Sequence, residues 1–441
     1  MTKPTALRID DWQAPWLPLP ARLLNTLPDR LAARLAPLEE ASLLAAARRR
    51  TRLDDFGEEG FREPLGLLLG DLAADDRLTP LGRLTARAVF GQLLRTRLRV
   101  EDRLTRDPAV ASRELPAPIV IVGLPRTGTT HLHNLLSSVS ALRSLPLWES
   151  VEPVRPPGYP DLRRLRCAVR LRQIDYLIPL LRPMHEMQVD LPHEELQLSA
   201  LTFRSFFFEG SFRLPRYRPW YAAGDHSGAY RYLRRVLLAL QRSGGSERWV
   251  LKSPQHLDQL RALSSAFPDS KIVRTHRDPV RAVLSLATMI TYTRRVCYRD
   301  LDPAAEARSW ADRLEQMLRR SLEQAEALPS DRVLHVSYEA FVKDEWATLE
   351  RVFDFAEVEV DAAARNAIRA HLDGCGLRRP GLFEYRFEDL GLDPGELRER
   401  FRFYREHFDL PDEGPDSTAG TGVSKGMRGS ALSGRRRAPA S

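Results

Sequence analysis

The stretch Pro118-Ile119-Val120-Ile121-Val122-Gly123-Leu124-Pro125-Arg126-Thr127-Gly128-Thr129-Thr130 decides the fold. Its four consecutive β-branched residues carry no polar alternation, which fits a strand buried on both faces. A turn with two glycines follows, and Thr130 to Val139 then runs with helical period. Successive backbone N–H groups in such a turn, added to the positive end of the helix dipole, make an anion cradle that needs no metal. Gly123 and Gly128 have the spacing of a Walker A loop, but Thr129 stands where that motif requires its lysine. Arg126 is offered inside the loop instead, and its planar fork suits a tetrahedral oxyanion. A ligand-free turn between strand and helix would use the same glycines, so a second anion motif is needed to decide.

Three further segments share the buried-strand character: Arg248 to Lys252, Lys271 to Thr275 and Arg332 to Ser337. Helical stretches lie between them, at His256 to Phe267, Val280 to Thr291 and Ala304 to Ala327. Strands alternating with helices imply an α/β fold of P-loop-like, three-layer α/β/α form around a mostly parallel sheet. Ligands of such sheets sit at the carboxyl ends of the strands, so the turns after Val122, Lys252 and Thr275 should converge. Residues 1–115 read as a helical N-terminal extension, with segments at Arg22 to Leu27, Leu38 to Arg50, Phe61 to Leu72 and Leu81 to Arg95. Residues 116–410 form the α/β domain, and Trp148 to Tyr230 reads as a long, partly helical and partly irregular insertion over the site. Residues 411–441, rich in Gly, Ser, Pro and Ala, are expected to be a disordered tail.

Charged residues at 29% and hydrophobic residues at 43% fit a globular protein. No apolar run approaches the roughly 20 residues that cross a bilayer, and the N-terminus lacks a signal-like core. Stable membrane insertion is thus not expected, and a cytoplasmic location is. Cys167, Cys297 and Cys375 are odd in number and far apart, so free thiols are expected rather than disulfides or a zinc ribbon. The net charge of +8 comes from arginine, since the lysines are Lys3, Lys252, Lys271, Lys343 and Lys425 alone. Arginines spaced along amphipathic helices read as solvated faces, and nucleic acid is not expected as a partner.

Lys252 ends the second strand, followed by Ser253 as an N-cap and Pro254 at the first helical position. A lysine at a buried strand end is costly without an anion beside it. After the third strand comes Arg277-Asp278-Pro279, with Ser285 two turns along the next helix. The Pro125 to Thr130 loop resembles the 5′-phosphosulfate loop of the sulfotransferases that use 3′-phosphoadenosine 5′-phosphosulfate (PAPS), and the bacterial branch carries the Leu-Pro-Arg-Thr-Gly-Thr-Thr version found here. The family's second motif, an arginine followed eight residues later by a serine, matches Arg277 and Ser285. The resemblance spans roughly residues 116–408.

It implies transfer of a sulfuryl group from PAPS to a hydroxyl or amine, leaving 3′,5′-adenosine bisphosphate, with no metal. It further implies that Pro125, Arg126, Thr127, Gly128, Thr129 and Thr130 hold the 5′-phosphate and sulfuryl oxygens. Arg277 and Ser285 would hold the 3′-phosphate, and Lys252 would stand beside the sulfuryl group. Tyr338 resembles the family's tyrosine near the adenine, and Arg379 with Gly381 resembles its late 3′-phosphate segment in reduced form. Cytosolic members keep a histidine base two residues after the lysine, where this chain has Pro254. Glu149 is the first choice of base in its stead, with His256 and the cluster His185-Glu186 and His193-Glu194-Glu195 as alternatives. Those steps do not form HExxH, and His131 and His133 lack ligand spacing, so no metal site is expected. Phe206 to Phe208 and Trp220-Tyr221 hint at an acceptor pocket, although such aromatics also build cores. A small-molecule, lipid or glycan acceptor fits equally, and a homodimer stays open. The competing reading is a kinase or other P-loop hydrolase with a degenerate Walker loop.

Overall fold

The computed structural model describes residues 7–12, 16–110, 113–156, 158–241, 247–326, 328–375 and 383–413. Arg379, Gly381, the Cys375 side chain and residues 414–441 lie outside them. Five strands are described: β1 (Ile119–Val122), β2 (Leu142–Arg143), β3 (Arg248–Lys252), β4 (Lys271–His276) and β5 (Val333–Ser337). They form one sheet in the order β2-β3-β1-β4-β5, and every pairing is parallel. The chain's first strand is thus central, and the sequence of strands reverses on its two sides, which opens a crevice at its carboxyl end. The four long strands fall where the periodicity places them. β2 has two residues, too few for a period to register.

The uninterrupted apolar run of β1 has a direct structural cause. Val120 and Val122 pack into one hydrophobic cluster and Ile119 and Ile121 into another, on the opposite face of the sheet. All four are fully buried, a stabilisation of about 1.5–3 kcal/mol for each side chain. On the Ile119 face lie Leu132, Leu135 and Leu136 of the Thr129–Leu136 helix and Leu349 and Val352 of the Glu345–Ala356 helix. On the Val120 face lie the helices Pro80–Arg106, Pro279–Arg294 and Pro303–Ala325, through residues such as Phe90, Val283 and Leu314. The three-layer α/β/α architecture follows from that two-faced burial.

The helices before β1 share this core: Leu65, Leu68, Phe90, Leu94 and Leu98 belong to the same cluster as Val120 and Val122. The segment from Trp148 to Tyr230 is largely helical and includes the Arg163–Leu177 and Phe206–Ser211 helices. Phe203, Phe206, Phe208, Phe212, Tyr217 and Tyr221 of this segment are core residues, whereas Tyr159 and Tyr176 are exposed. Phe206 stands edge-on to Trp310, and Phe208 meets Phe90, Phe203 and Tyr217. Glu209, wholly buried, pins the Phe206–Ser211 helix to Arg313 and Arg218 at 3.0 Å each. Cys167 and Cys297 are free and buried. Among the described residues, no helix is long and apolar enough to cross a membrane.

Candidate active site

The loop after β1 folds as a close-packed turn. A Cβ on Gly123 would lie 2.1 Å from Thr275 Oγ1, so only glycine lets the chain leave β1 against the end of β4. Thr127 Oγ1 then donates to Leu124 O at 2.7 Å and sits 2.7 Å from Thr275 Oγ1, closing the turn on itself. Gly128 has φ +84° and starts the Thr129–Leu136 helix, while Arg126 takes φ +72°, a left-handed conformation disfavoured for a side chain of its size. Pro125 is half-buried, Thr129 buried, and Arg126 and Thr130 exposed. The Arg126 guanidinium lies 5.8 Å from the Tyr385 ring centroid.

Arg277 reaches back to this loop. It follows β4, and Asp278 caps the next helix by accepting from Val280 N, with Pro279 at its first position. Arg277 Nη1 donates to Arg126 O at 2.8 Å. Its guanidinium stacks on Tyr338, 4.0 Å from the ring centroid. Tyr338, one residue past β5, also abuts Gly128, since a Cβ there would meet Tyr338 Cδ2 at 3.2 Å. The loop and Arg277, 151 residues apart, are therefore neighbours around one tyrosine. Ser285 is buried two turns along the same helix. A carboxylate already occupies Arg277: Nε and Nη2 donate to Glu413 Oε1 and Oε2 at 2.7 and 2.6 Å.

Lys252 closes the other side. Ser253 caps the short helical turn behind it by accepting from Gln255 N, as its position foretells. The Lys252 side chain is buried, and Nζ donates to Glu194 Oε1 at 2.6 Å and to Thr130 Oγ1 at 3.4 Å. Burial works to raise the Glu194 pKa, but Lys252, His193 and His185 together hold it below the ordinary carboxylate value. Glu195, the next residue, accepts from the Lys252 backbone N at 2.9 Å. Its other oxygen lies 2.7 Å from His256 Nε2, near enough for an ion pair yet out of hydrogen-bond alignment. Tyr230 OH meets His256 Nδ1 at 2.6 Å, so His256, with no exposed surface, is enclosed by structural partners.

Three imidazoles surround the Lys252–Glu194 pair. Burial, reinforced by Lys252, presses His133 down to about 3, and burial likewise brings His193 to about 3 and lowers His185. All three are neutral near neutrality, which leaves Glu194 as the counter-charge that Lys252 touches. Glu149 is placed elsewhere. It follows β2 and takes Arg143 Nη2 on both oxygens at 3.2 Å, while that arginine stacks on Trp249 and donates to Leu240 O.

Chain order concealed two of these residues. Glu413 lies 136 residues from Arg277, at the start of the stretch 411–441 whose composition reads as a tail, and its carboxylate is nonetheless packed on that arginine. His133 shares a helix face with Thr129 and Thr130 at spacings of four and three, a signal that points it at the sheet. Among the described residues, no three His, Cys, Asp or Glu side chains are grouped to hold a metal ion. The arrangement as a whole can bind an anion with two separated charges and hold one carboxylate against a buried ammonium.

Residues 118–362, more than half of the chain, match the model of the Sulfotransferase family. The structure is similar to sulfotransferase STF9 from Mycobacterium avium, with 27% identity and a TM-score of 0.77, covering 86% of this chain and 98% of that one. It is also similar to sulfotransferase STF1 from Mycobacterium tuberculosis H37Rv, with 27% identity and a TM-score of 0.73, covering 82% and 98%. No curated protein matches the chain.

Proposed function

The chain belongs to the sulfotransferase family, and from that premise we propose that it moves the sulfuryl group of PAPS onto a hydroxyl or amine of a small-molecule, lipid or glycan acceptor. One observation carries the choice of donor: Arg277 is hydrogen-bonded to the carbonyl of Arg126 while stacked on the tyrosine that abuts Gly128. One nucleotide can then touch both anion motifs. The residues suit a 3′-phosphate, because the Glu413 carboxylate already sits on Arg277 through two charge-assisted hydrogen bonds.

PAPS supplies the activated sulfuryl group, and the chain supplies position and charge. The backbone N–H groups of Arg126 to Thr130, in the turn that Pro125 opens, and the fork of Arg126 hold the 5′-phosphate side. Arg277 and Ser285 hold the 3′-phosphate, which separates this donor from ordinary adenine nucleotides, and Tyr338 flanks the nucleoside. Arg379 and Gly381 are assigned to the same phosphate from sequence alone. Lys252, at the end of β3, places its ammonium group where negative charge gathers during transfer. Glu194 is the base this geometry favours over Glu149 and His256. Its carboxylate touches Lys252 Nζ, and once the ammonium turns to sulfuryl oxygens that carboxylate is released to take the acceptor's proton.

The test is calorimetry with 3′,5′-adenosine bisphosphate against ATP plus magnesium, on wild type and Arg277→Ala. Preference for the bisphosphate without metal, lost in the variant, supports this assignment. Equal affinity for both ligands would instead favour a P-loop kinase or hydrolase.

A further inference from the structure

The Pro80–Arg106 and Arg163–Leu177 helices face each other across a cavity of about 280 Å³ that shares no residue with the loop, Lys252 or Arg277. One helix lines it with Arg95 and Arg99, a single turn apart. The other brings Arg163, Arg166 and Arg170, at the three- and four-residue spacing that keeps side chains on one helix face. Two rows of like charge thus oppose each other, an arrangement that repels unless something negative lies between.

Glu152 is the one carboxylate on the wall. It is already engaged, with Arg166 at 2.6 Å and Arg99 at 3.9 Å. Arg163 turns to Asp161 at 2.7 Å, and Arg170 meets only the neutral amide of Gln92. Arg95 forms neither hydrogen bond nor ion pair with any described residue. The Arg163 and Arg99 side chains are 12% and 21% exposed and form the floor, while Arg166 and Arg170 are exposed and stand at the mouth. Burial, then Arg50 and Arg99, presses Arg95 down to about 10, and burial lowers Arg99 and Arg170 as well, with Glu152 pulling each of the three only part of the way back. The wall is short of negative charge. Guanidinium forks match tetrahedral oxyanions two bonds at a time, and the space holds several waters, room for an oxyanion with an organic remainder.

We infer that this cavity binds a phosphate or sulfate ester of a small molecule, at a site separate from the reacting centre. It is joined to that centre through its wall: the Trp148 amide is held by Val189 O at 3.2 Å, five residues before Glu194.

The experiment is calorimetry on the full chain saturated with 3′,5′-adenosine bisphosphate, at ionic strength fixed with chloride. The probes are glucose 6-phosphate and glucose 6-sulfate, beside inorganic phosphate and inorganic sulfate. One equivalent of ester should bind more tightly than its inorganic anion. Arg95→Gln/Arg99→Gln should weaken it about tenfold or more and leave bisphosphate affinity unchanged. The bisphosphate has its own titration, so failure of the donor assignment is seen separately. The ester should raise the melting temperature of the wild type and not of the variant. Without ester, the variant should melt no lower than wild type, because its like charges are relieved. No binding, binding indifferent to the substitution, or equal affinity for the inorganic anion would overturn the inference.

Discussion

Glu413 holds Arg277 through two hydrogen bonds of 2.7 and 2.6 Å, on the guanidinium assigned to the donor's 3′-phosphate. A 3′-phosphate bound there as proposed would compete with the carboxylate for the same two N–H groups and have to displace it. Glu413→Ala should tighten 3′,5′-adenosine bisphosphate binding by about tenfold, read by calorimetry. Unchanged affinity would mean that the 3′-phosphate lies elsewhere.

The Lys252–Glu194 pair separates chemistry from stability. Glu194→Gln should lower turnover about 10²- to 10⁴-fold while bisphosphate affinity holds. Lys252→Ala alone should also melt earlier, because it strands a carboxylate in a largely buried position. The double variant should recover melting temperature without recovering activity, a coupling that a double-mutant cycle measures.

Glu149→Gln is the matching control. Its carboxylate serves Arg143 at the sheet edge, so the variant should melt lower yet keep most of its turnover. A large loss of turnover at unchanged melting temperature would return the base to Glu149.

Gly123→Ala puts a methyl 2.1 Å from Thr275 Oγ1 and 3.0 Å from Thr275 O. The loop and the end of β4 must separate, costing about 1–3 kcal/mol. Because Arg277 follows directly on β4, both anion motifs should lose affinity together. Thr275→Ala in that background should restore only part of it, since the carbonyl contact remains.

Stability should fall early on acidification. His133 and His193 are held near 3 and His226 near 4 by burial, against an ordinary 6.5. A folded pKa below the unfolded one means that the unfolded chain binds protons first. This contribution is full above about 6.5 and declines as pH drops towards 3. Melting temperature measured against pH should show that slope, and His226→Gln should flatten it.

Much of this was legible in residues alone. The run Ile119–Val122 announces a strand buried on both faces because no polar residue interrupts it, and the sheet has Val120 and Ile121 in opposite cores. Ser253-Pro254 and Asp278-Pro279 announce helix starts because capping is local chemistry within three residues. Phe206 to Phe208 and Trp220-Tyr221 were ambiguous, since an aromatic run looks alike lining a pocket or filling a core. Contacts of Phe208 with Phe90 and of Phe206 with Trp310, distant in sequence, resolve it for those two, and Tyr221 is buried while Trp220 is only partly so.

The sequence by itself determined the elements governed by neighbours along the chain: the buried strands, the glycine turn and the helix caps. Only the tertiary structure decided which acid faces Lys252, that Glu149 belongs to Arg143, and that Glu413 rests on Arg277. The reason is physical. A strand or cap is fixed by local sterics and hydrogen bonding, whereas ion partners are chosen by burial and by whichever opposite charge the packed chain brings within reach, at any separation in sequence.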